Sequence, residues 1–296
     1  MKTGVFLVNF GGPRSLEEVP EFLTNMMGRE RAQTMLAPLV ERYRAIGGGS
    51  PLAAITEEQA ALLEREMGRP FPIRAAYQYS HPSIGERIGQ ARLSGVERLA
   101  FLAMSPFSSS LTTGAYLKAI ETSLDSLSYR PAITFISGWY DEPAFVDCWA
   151  ERIKAASTGE ESYHLFSAHS LPCSCSDEPY KSQVEETVRA VAQKCGFAKN
   201  NGLAWQSVPQ GVREPWIGPS VESVIDSLVG RVRKVVEIPI GFVSDHLETQ
   251  YDMDIVHRTY ATKLGFEFSR ISSLNTYKKF ISALALILEK ALGEKE

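Results

Sequence analysis

No run of apolar residues in this 296-residue chain reaches the ~20 needed to cross a membrane. The closest, Phe280-Ile-Ser-Ala-Leu-Ala-Leu-Ile-Leu288, has the length of a terminal helix packed on a core. Cysteine is scarce: four in a chain of this length make no disulfide scaffold. Positive charge is not in excess, with 31 Lys and Arg against 35 Asp and Glu. The net charge of −4 argues against a nucleic-acid partner, which calls for a basic surface. The spacings GxGxxG and GxxxxGK[ST] are missing, so neither a dinucleotide nor an ATP phosphate cradle is inferred. No leader peptide is visible, since Met1-Lys2-Thr3 runs straight into a short core strand. With 44% hydrophobic and 22% charged residues, the expectation is a cytoplasmic globular protein. No transmembrane segment is expected, and peripheral contact with a membrane, to exchange an apolar ligand, is left open.

What is present is a repeated rhythm. A continuous apolar run of strand length lies at Val5–Phe10, and further strands are expected at Ile73–Tyr79, Arg98–Met104 and Ala132–Ser137. Strands are expected again at Tyr163–Ala168, Leu203–Ser207, Val232–Ile238 and Phe266–Arg270, with helical stretches between them. Such alternation predicts parallel sheets flanked by helices. The expected fold class is α/β, with two similar Rossmann-like domains, each carrying a four-stranded parallel sheet, and an active-site cleft between them. The domains are expected at 1–138 and 139–276, with a terminal helix over 277–296 packing back on the first. Within the first, Ser15 is expected to cap a helix, and Thr56 with Gln59 to form a capping box. The loop Ile46-Gly-Gly-Gly-Ser-Pro51 suits either close approach to a flat ligand or a plain connector.

Two strand ends carry chemistry. Pro239-Ile-Gly-Phe-Val-Ser-Asp-His-Leu-Glu248 leaves a strand at Gly241 and presents Asp245, His246 and Glu248 as a helix begins. On an α-helix Glu248 and Asp252 share one face, and the next position on it is Val256. Phe166-Ser-Ala-His169 has the same form, a buried strand ending in small residues and an imidazole. In a doubly wound sheet such C-terminal ends line one crevice.

These pieces, with Leu7-Val-Asn-Phe-Gly-Gly-Pro13, Tyr79-Ser-His-Pro-Ser83, Trp205-Gln-Ser207 and Glu214-Pro-Trp-Ile-Gly-Pro219, occur in order over nearly the whole chain. In that set the chain resembles the ferrochelatases. The resemblance implies insertion of Fe(II) into a porphyrin without ATP, with release of two protons, in haem biosynthesis. Protoporphyrin IX, giving protohaem, is the first choice of substrate and coproporphyrin III the second. A cobalt or sirohydrochlorin chelatase is a rival within the enzymes, and a non-catalytic haem or porphyrin carrier is the rival outside them.

By the resemblance, His169 and Glu248 form the catalytic and metal-binding pair. Asp252 continues a polar channel, and Asp245 and His246 support it. Phe10, Arg44, Ser108, Ser109, Thr113 and Trp205 are the expected porphyrin contacts. Phe10 stands where some relatives place an iron-ligating tyrosine, and a phenyl ring cannot do that. His81 reads as a core residue at least as well as a functional one, and His164 and His257 as surface residues. No cofactor is expected beyond the substrate iron. Cys148, Cys173, Cys175 and Cys195 are the only candidates for a 2Fe–2S cluster, and free thiols are the preferred reading.

Overall fold

The computed structural model describes residues 2–69, 71–156, 162–175, 178–197, 199–209, 211 and 213–293. It divides into two compact units, Met1–Trp139 with Asn275–Glu296, and Tyr140–Leu274. Each is built on four parallel strands. In the first, β1 (Thr3–Asn9), β2 (Ile73–Tyr77), β3 (Arg98–Ala103) and β4 (Ala132–Ile136) lie in the order β2-β1-β3-β4. In the second, β5 (Ser162–His169), β6 (Asn201–Gln206), β7 (Lys234–Ile238) and β8 (Glu267–Arg270) repeat it as β6-β5-β7-β8. The chain therefore steps to one side of its first strand and then to the other, so the order reverses between β1 and β3 and again between β5 and β7. In open parallel sheets ligands bind outside the strands' C-terminal ends at such a reversal. His169 ends β5, and β7 leads directly into the Pro239 turn.

The central strands are apolar because helices cover both faces. In the first unit the helices are α1 (Val19–Met27), α2 (Arg29–Ala45), α3 (Leu52–Met67), α4 (Ile84–Leu93) and α5 (Thr113–Ser126). Phe6, Val8 and Phe101 of its sheet pack on Ile84 and Ile88 of α4 and Tyr116 and Ile120 of α5. In the second unit α6 (Pro143–Ala155), α7 (Tyr180–Cys195), α8 (Val221–Ser227) and α9 (Arg258–Lys263) do the same work. There Leu165, Ala204 and Val235 meet Val221, Ile225 and Ala261. The last helix, α10 (Lys278–Leu292), packs on α3 and buries Phe280, Ile281, Leu284 and Leu288. Its C-terminal Leu292 carbonyl accepts from the Arg98 guanidinium at 3.1 Å. The last three residues of the expected 277–296 helix lie outside the described residues.

Two local expectations need correction. Helix α3 starts at Leu52, so Thr56 is inside it and caps nothing. Its fully buried hydroxyl donates to the Leu52 carbonyl at 2.7 Å and accepts from the Asn9 amide at 3.0 Å, tying β1 to α3. Ser15 makes no side-chain cap; a short 3₁₀ turn at Leu16–Glu18 follows it, and α1 begins only at Val19, beside Pro20. The glycine loop packs on its own unit. A Cβ at Gly49 would lie 2.2 Å from the Arg14 carbonyl oxygen, and Ser50 N donates to the Pro13 carbonyl at 2.7 Å. Glycine is required there for close approach of backbone to backbone.

Thr56→Val keeps the shape and removes the acceptor of the buried Asn9 amide. It should destabilise the protein by about 1–3 kcal/mol, read as a lowered midpoint in thermal unfolding. An unchanged midpoint would show that this hydrogen bond does not tie β1 to α3.

Candidate active site

The approach of β7 to β5 builds the site. Gly241 N donates to the Ser167 carbonyl at 3.1 Å, and a Cβ on Gly241 would meet both Cα and Cβ of Ala168 at 2.8 Å. Only glycine lets the turn after β7 lie against the residue before His169. His169 is fixed from several sides. Its Nδ1 donates to the Ser170 carbonyl, which leaves Nε2 directed at Glu248. The Tyr180 hydroxyl donates to the His169 carbonyl at 2.9 Å, and the Ser170 hydroxyl to the Ile217 carbonyl at 2.7 Å.

Glu248 opens a ten-residue π-helix, Glu248–His257. This winding is rare, is usually confined to a single turn, and often marks functional sites. Side chains on every side pin it. His246 N donates to Thr249 Oγ1 at 2.9 Å, and Ser207 Oγ to Asp252 Oδ2 at 2.8 Å. The Arg270 guanidinium donates to Asp254 Oδ2 and to Asp245 Oδ1, both at 2.7 Å. Asp245 thus faces Arg270 and braces the turn into the helix.

The Glu248 carboxylate lies between two imidazoles. Oε1 is 3.5 Å from His169 Nε2, and Oε2 is 3.6 Å from His246 Nε2. These are charge contacts at or beyond the limit of a hydrogen bond, and Oε2 is buried without a hydrogen-bond partner. His246 in turn is held by the Ser244 carbonyl at 3.1 Å from its Nδ1 and by the Phe242 ring. Burial opposes charge on both members of the His169–Glu248 pair, and their mutual attraction outweighs it. His169 is raised from an ordinary 6.5 to about 9, and Glu248 is held well below the usual carboxylate range. At neutral pH the pair is an imidazolium facing a carboxylate. An orphaned carboxylate oxygen between two imidazole nitrogens can receive a divalent cation, and nitrogen and oxygen donors suit ferrous iron.

Other expected residues divide. Asp252 follows Glu248 along the π-helix and is held by Ser207, whose backbone is left-handed at φ 63°. In the first unit, Phe10 is half-buried and edge-on to Tyr79, with ring centroids 4.8 Å apart. Arg44 is exposed and paired with Glu41, one helical turn earlier. Ser108 is half-buried. Ser109 and Thr113 are buried and bonded to each other, the Thr113 hydroxyl accepting from Ser109 N and donating to its carbonyl, both at 3.1 Å. Trp205 is a core residue, 2% exposed and packed on Tyr180, so it offers no surface to a ligand.

The remaining histidines reverse their expected places. His81 is exposed and bridges Glu86 and Glu21 at the start of α4. His164 is buried and stacked on Phe197, which drives its pKa down to about 4. His257 is buried against Glu237. Cys148 is buried, and the Cys195 thiol donates to the Ala150 carbonyl. Among the described residues no group of three or more His, Cys, Asp or Glu is arranged to hold a metal by itself. The reading of the sequence missed Tyr180 and Arg270, and quoted Ser207 only as part of a motif, without its bond to Asp252. Gly241 was visible as a break, without its contact on Ala168.

Solved structures share this fold. SirB from Bacillus subtilis with Fe3+ superposes with a TM-score of 0.61 at 16% identity, covering 99% of this chain and 98% of that one. CbiX, described as the terminal enzyme of sirohaem biosynthesis in denitrifying bacteria, gives 0.57 at 14% identity, covering 97% and 99%. The architecture is that of the chelatases. The family model described as Ferrochelatase matches residues 2–292. The ferrochelatase of Aquifex aeolicus is 36% identical over 305 residues, covering 96% of this chain and 97% of that protein. The coproporphyrin III ferrochelatase of Halalkalibacterium halodurans is 32% identical over 309 residues, covering 100% and 99%. The chain belongs to the ferrochelatase family, enzymes of haem biosynthesis that act as metal chelatases.

Because His169 binds its proton more tightly when folded, its pairing stabilises the protein fully below pH 6.5 and loses that contribution as pH rises through about 9. Glu248, held low, contributes above the usual carboxylate range and loses its share as pH falls through its lowered value. An NMR titration should find the His169 imidazole changing near pH 9 in the wild type and at markedly lower pH in Glu248→Gln. A wild-type midpoint near 6.5 would contradict the pairing.

Proposed function

We propose that this chain inserts Fe(II) into protoporphyrin IX, releasing two protons, and that His169 and Glu248 carry the chemistry as a pair. The observation behind this reading is the half-buried Glu248 carboxylate, set between two imidazole nitrogens with one buried oxygen that makes no hydrogen bond. The entering iron exchanges water for a Glu248 oxygen and for His169 Nε2, whose proton is displaced as the metal binds and leaves toward Asp252. Once the iron has passed to the ring, the freed His169 Nε2 and the Glu248 carboxylate accept the two protons that leave the pyrrole nitrogens. Asp252, held by Ser207, carries protons onward. His246 holds Glu248 from its far side.

Phe10 is proposed to pack on the macrocycle; its ring is already braced by Tyr79 and Phe22. It supplies no axial oxygen. Arg44 is proposed to meet a propionate, its guanidinium matching the carboxylate fork, and Ser108 is proposed as a further porphyrin contact. No helix of the described residues is long and apolar enough to cross a membrane. The cytoplasm remains the proposed location, with porphyrin exchanged at a membrane surface.

Relatives at 34% and 36% identity carry the name ferrochelatase with no porphyrin specified. The second reading, coproporphyrin III, is favoured by the name of the full-length Halalkalibacterium relative. The test is the absorbance of the metallated product from purified protein, Fe(II) or Zn(II), and each porphyrin. The expected result is a kcat/KM at least about tenfold higher for protoporphyrin IX. The reverse preference would establish the second reading. His169→Ala should abolish insertion while porphyrin binding survives, and full activity in that variant would refute the assignment of the pair.

A further inference from the structure

Glu237 and His257 form the most deeply buried ion pair among the described residues, with side-chain exposures of 0% and 4%. Glu237 sits in the middle of the second sheet, in the apolar strand Lys234-Val-Val-Glu-Ile238, between Leu165 of β5 and Arg270 of β8. Its two oxygens accept from His257 Nδ1 at 3.1 and 3.0 Å. A buried pair of this kind contributes little to stability compared with apolar residues of the same volume. Its retention in a core strand calls for another use.

The winding of the helix supplies one. On an α-helix, at 3.6 residues per turn, nine residues make two and a half turns and place His257 opposite Glu248. A π-helix closes its hydrogen bonds one residue later and holds about 4.4 residues per turn, so nine residues make two full turns. Glu248, Asp252 and His257 then fall on one stripe, while Val256 is exposed. The row therefore does not stop at Val256 but ends at a buried imidazole.

We propose that the Glu237–His257 pair is the proton-holding end of the row that begins at Glu248. A pyrrole N–H bond breaks, its electron pair stays on nitrogen for the metal, and the proton passes to Glu248. It moves by Asp252 to Nε2 of His257. Nδ1–H stays on Glu237, so the pair changes from imidazole–carboxylate to imidazolium–carboxylate and no other bond is altered. The charges around the imidazole favour this. Glu237 of β7, Glu222 of α8 and Asp252 of the π-helix all act to raise its proton affinity, and they outweigh the opposing effect of burial. With His257 protonated, these three carboxylates still leave the group net negative. Arg270, the neighbour on β8, is committed to Asp245 and Asp254, and Arg258 to Asp254 and the Phe268 carbonyl.

This inference rests on the metal-insertion reading, and one experiment separates their failures. A single turnover of the wild type with Zn(II) and porphyrin is followed in weak buffer between pH 7 and 10. Product absorbance and a pH-indicator dye are recorded together. About one of the two protons should reach the dye at least ~threefold more slowly than product forms. That delayed share should grow as pH rises, because the pair then starts empty. In the Glu237→Leu, His257→Phe double variant, which leaves no lone charge, both protons should appear in step with product. Glu237→Gln, which keeps the shape, should lose the delay as well and serves if the double variant does not fold. Protons in step with product at every pH in the wild type, or a delay unchanged in a folded variant, would overturn the proposal. No Zn(II) insertion at all by the wild type would instead refute the metal-insertion reading, and this one with it.

Discussion

A half-buried carboxylate held between two imidazoles is the constraint on which the second unit depends. Glu248 cannot stay ionised there without a compensating charge, and His169 supplies it at 3.5 Å. Everything around the pair serves to keep that distance. Gly241 lets the turn after β7 lie on Ala168. Tyr180 and Ser170 fix the end of β5, and His246 closes the other side of the carboxylate. The result is a site charged yet neutral in sum, with one oxygen left open for a cation.

The second constraint is the pitch of the helix that Glu248 begins. At the α-helical period the polar row runs from Glu248 to Asp252 and is broken by the exposed Val256. Wound as a π-helix, the same residues lead inward to His257 and Glu237. Thr249, Asp252, Asp254 and His257 each take a partner outside the helix, and together these anchors oppose relaxation to the α form.

Much of the fold was legible because parallel strands buried on both faces are written as continuous apolar runs. Each of the eight expected strands has its counterpart within a few residues at either end, although β8, Glu-Phe-Ser-Arg, is neither a continuous apolar run nor buried. His169 and Glu248 were legible because each follows a strand end in a sheet whose order reverses there. What failed depended on contacts distant in sequence. Thr56 carries the letters of a helix cap, but Asn9, 47 residues away, makes it a buried tie. His257 looks like a surface residue until β7 places Glu237 beneath it, and His164 until Phe197 covers it. Trp205 carries the family motif but is spent on the core of its own unit. The π winding could not be read because local propensity favours the α form, and the anchors against it come from β6, β7 and β8.

The ferrochelatase family places a metal at the centre of this chemistry, and the His169–Glu248 pair is its proposed point of entry. The most direct measurement is an anomalous difference map from crystals soaked in Zn(II). The account predicts a single strong peak at ~2.0–2.2 Å from His169 Nε2 and a Glu248 oxygen, absent in His169→Ala. A site occupied only elsewhere, at Cys173 and Cys175 or at His81, with none between His169 and Glu248, would contradict it.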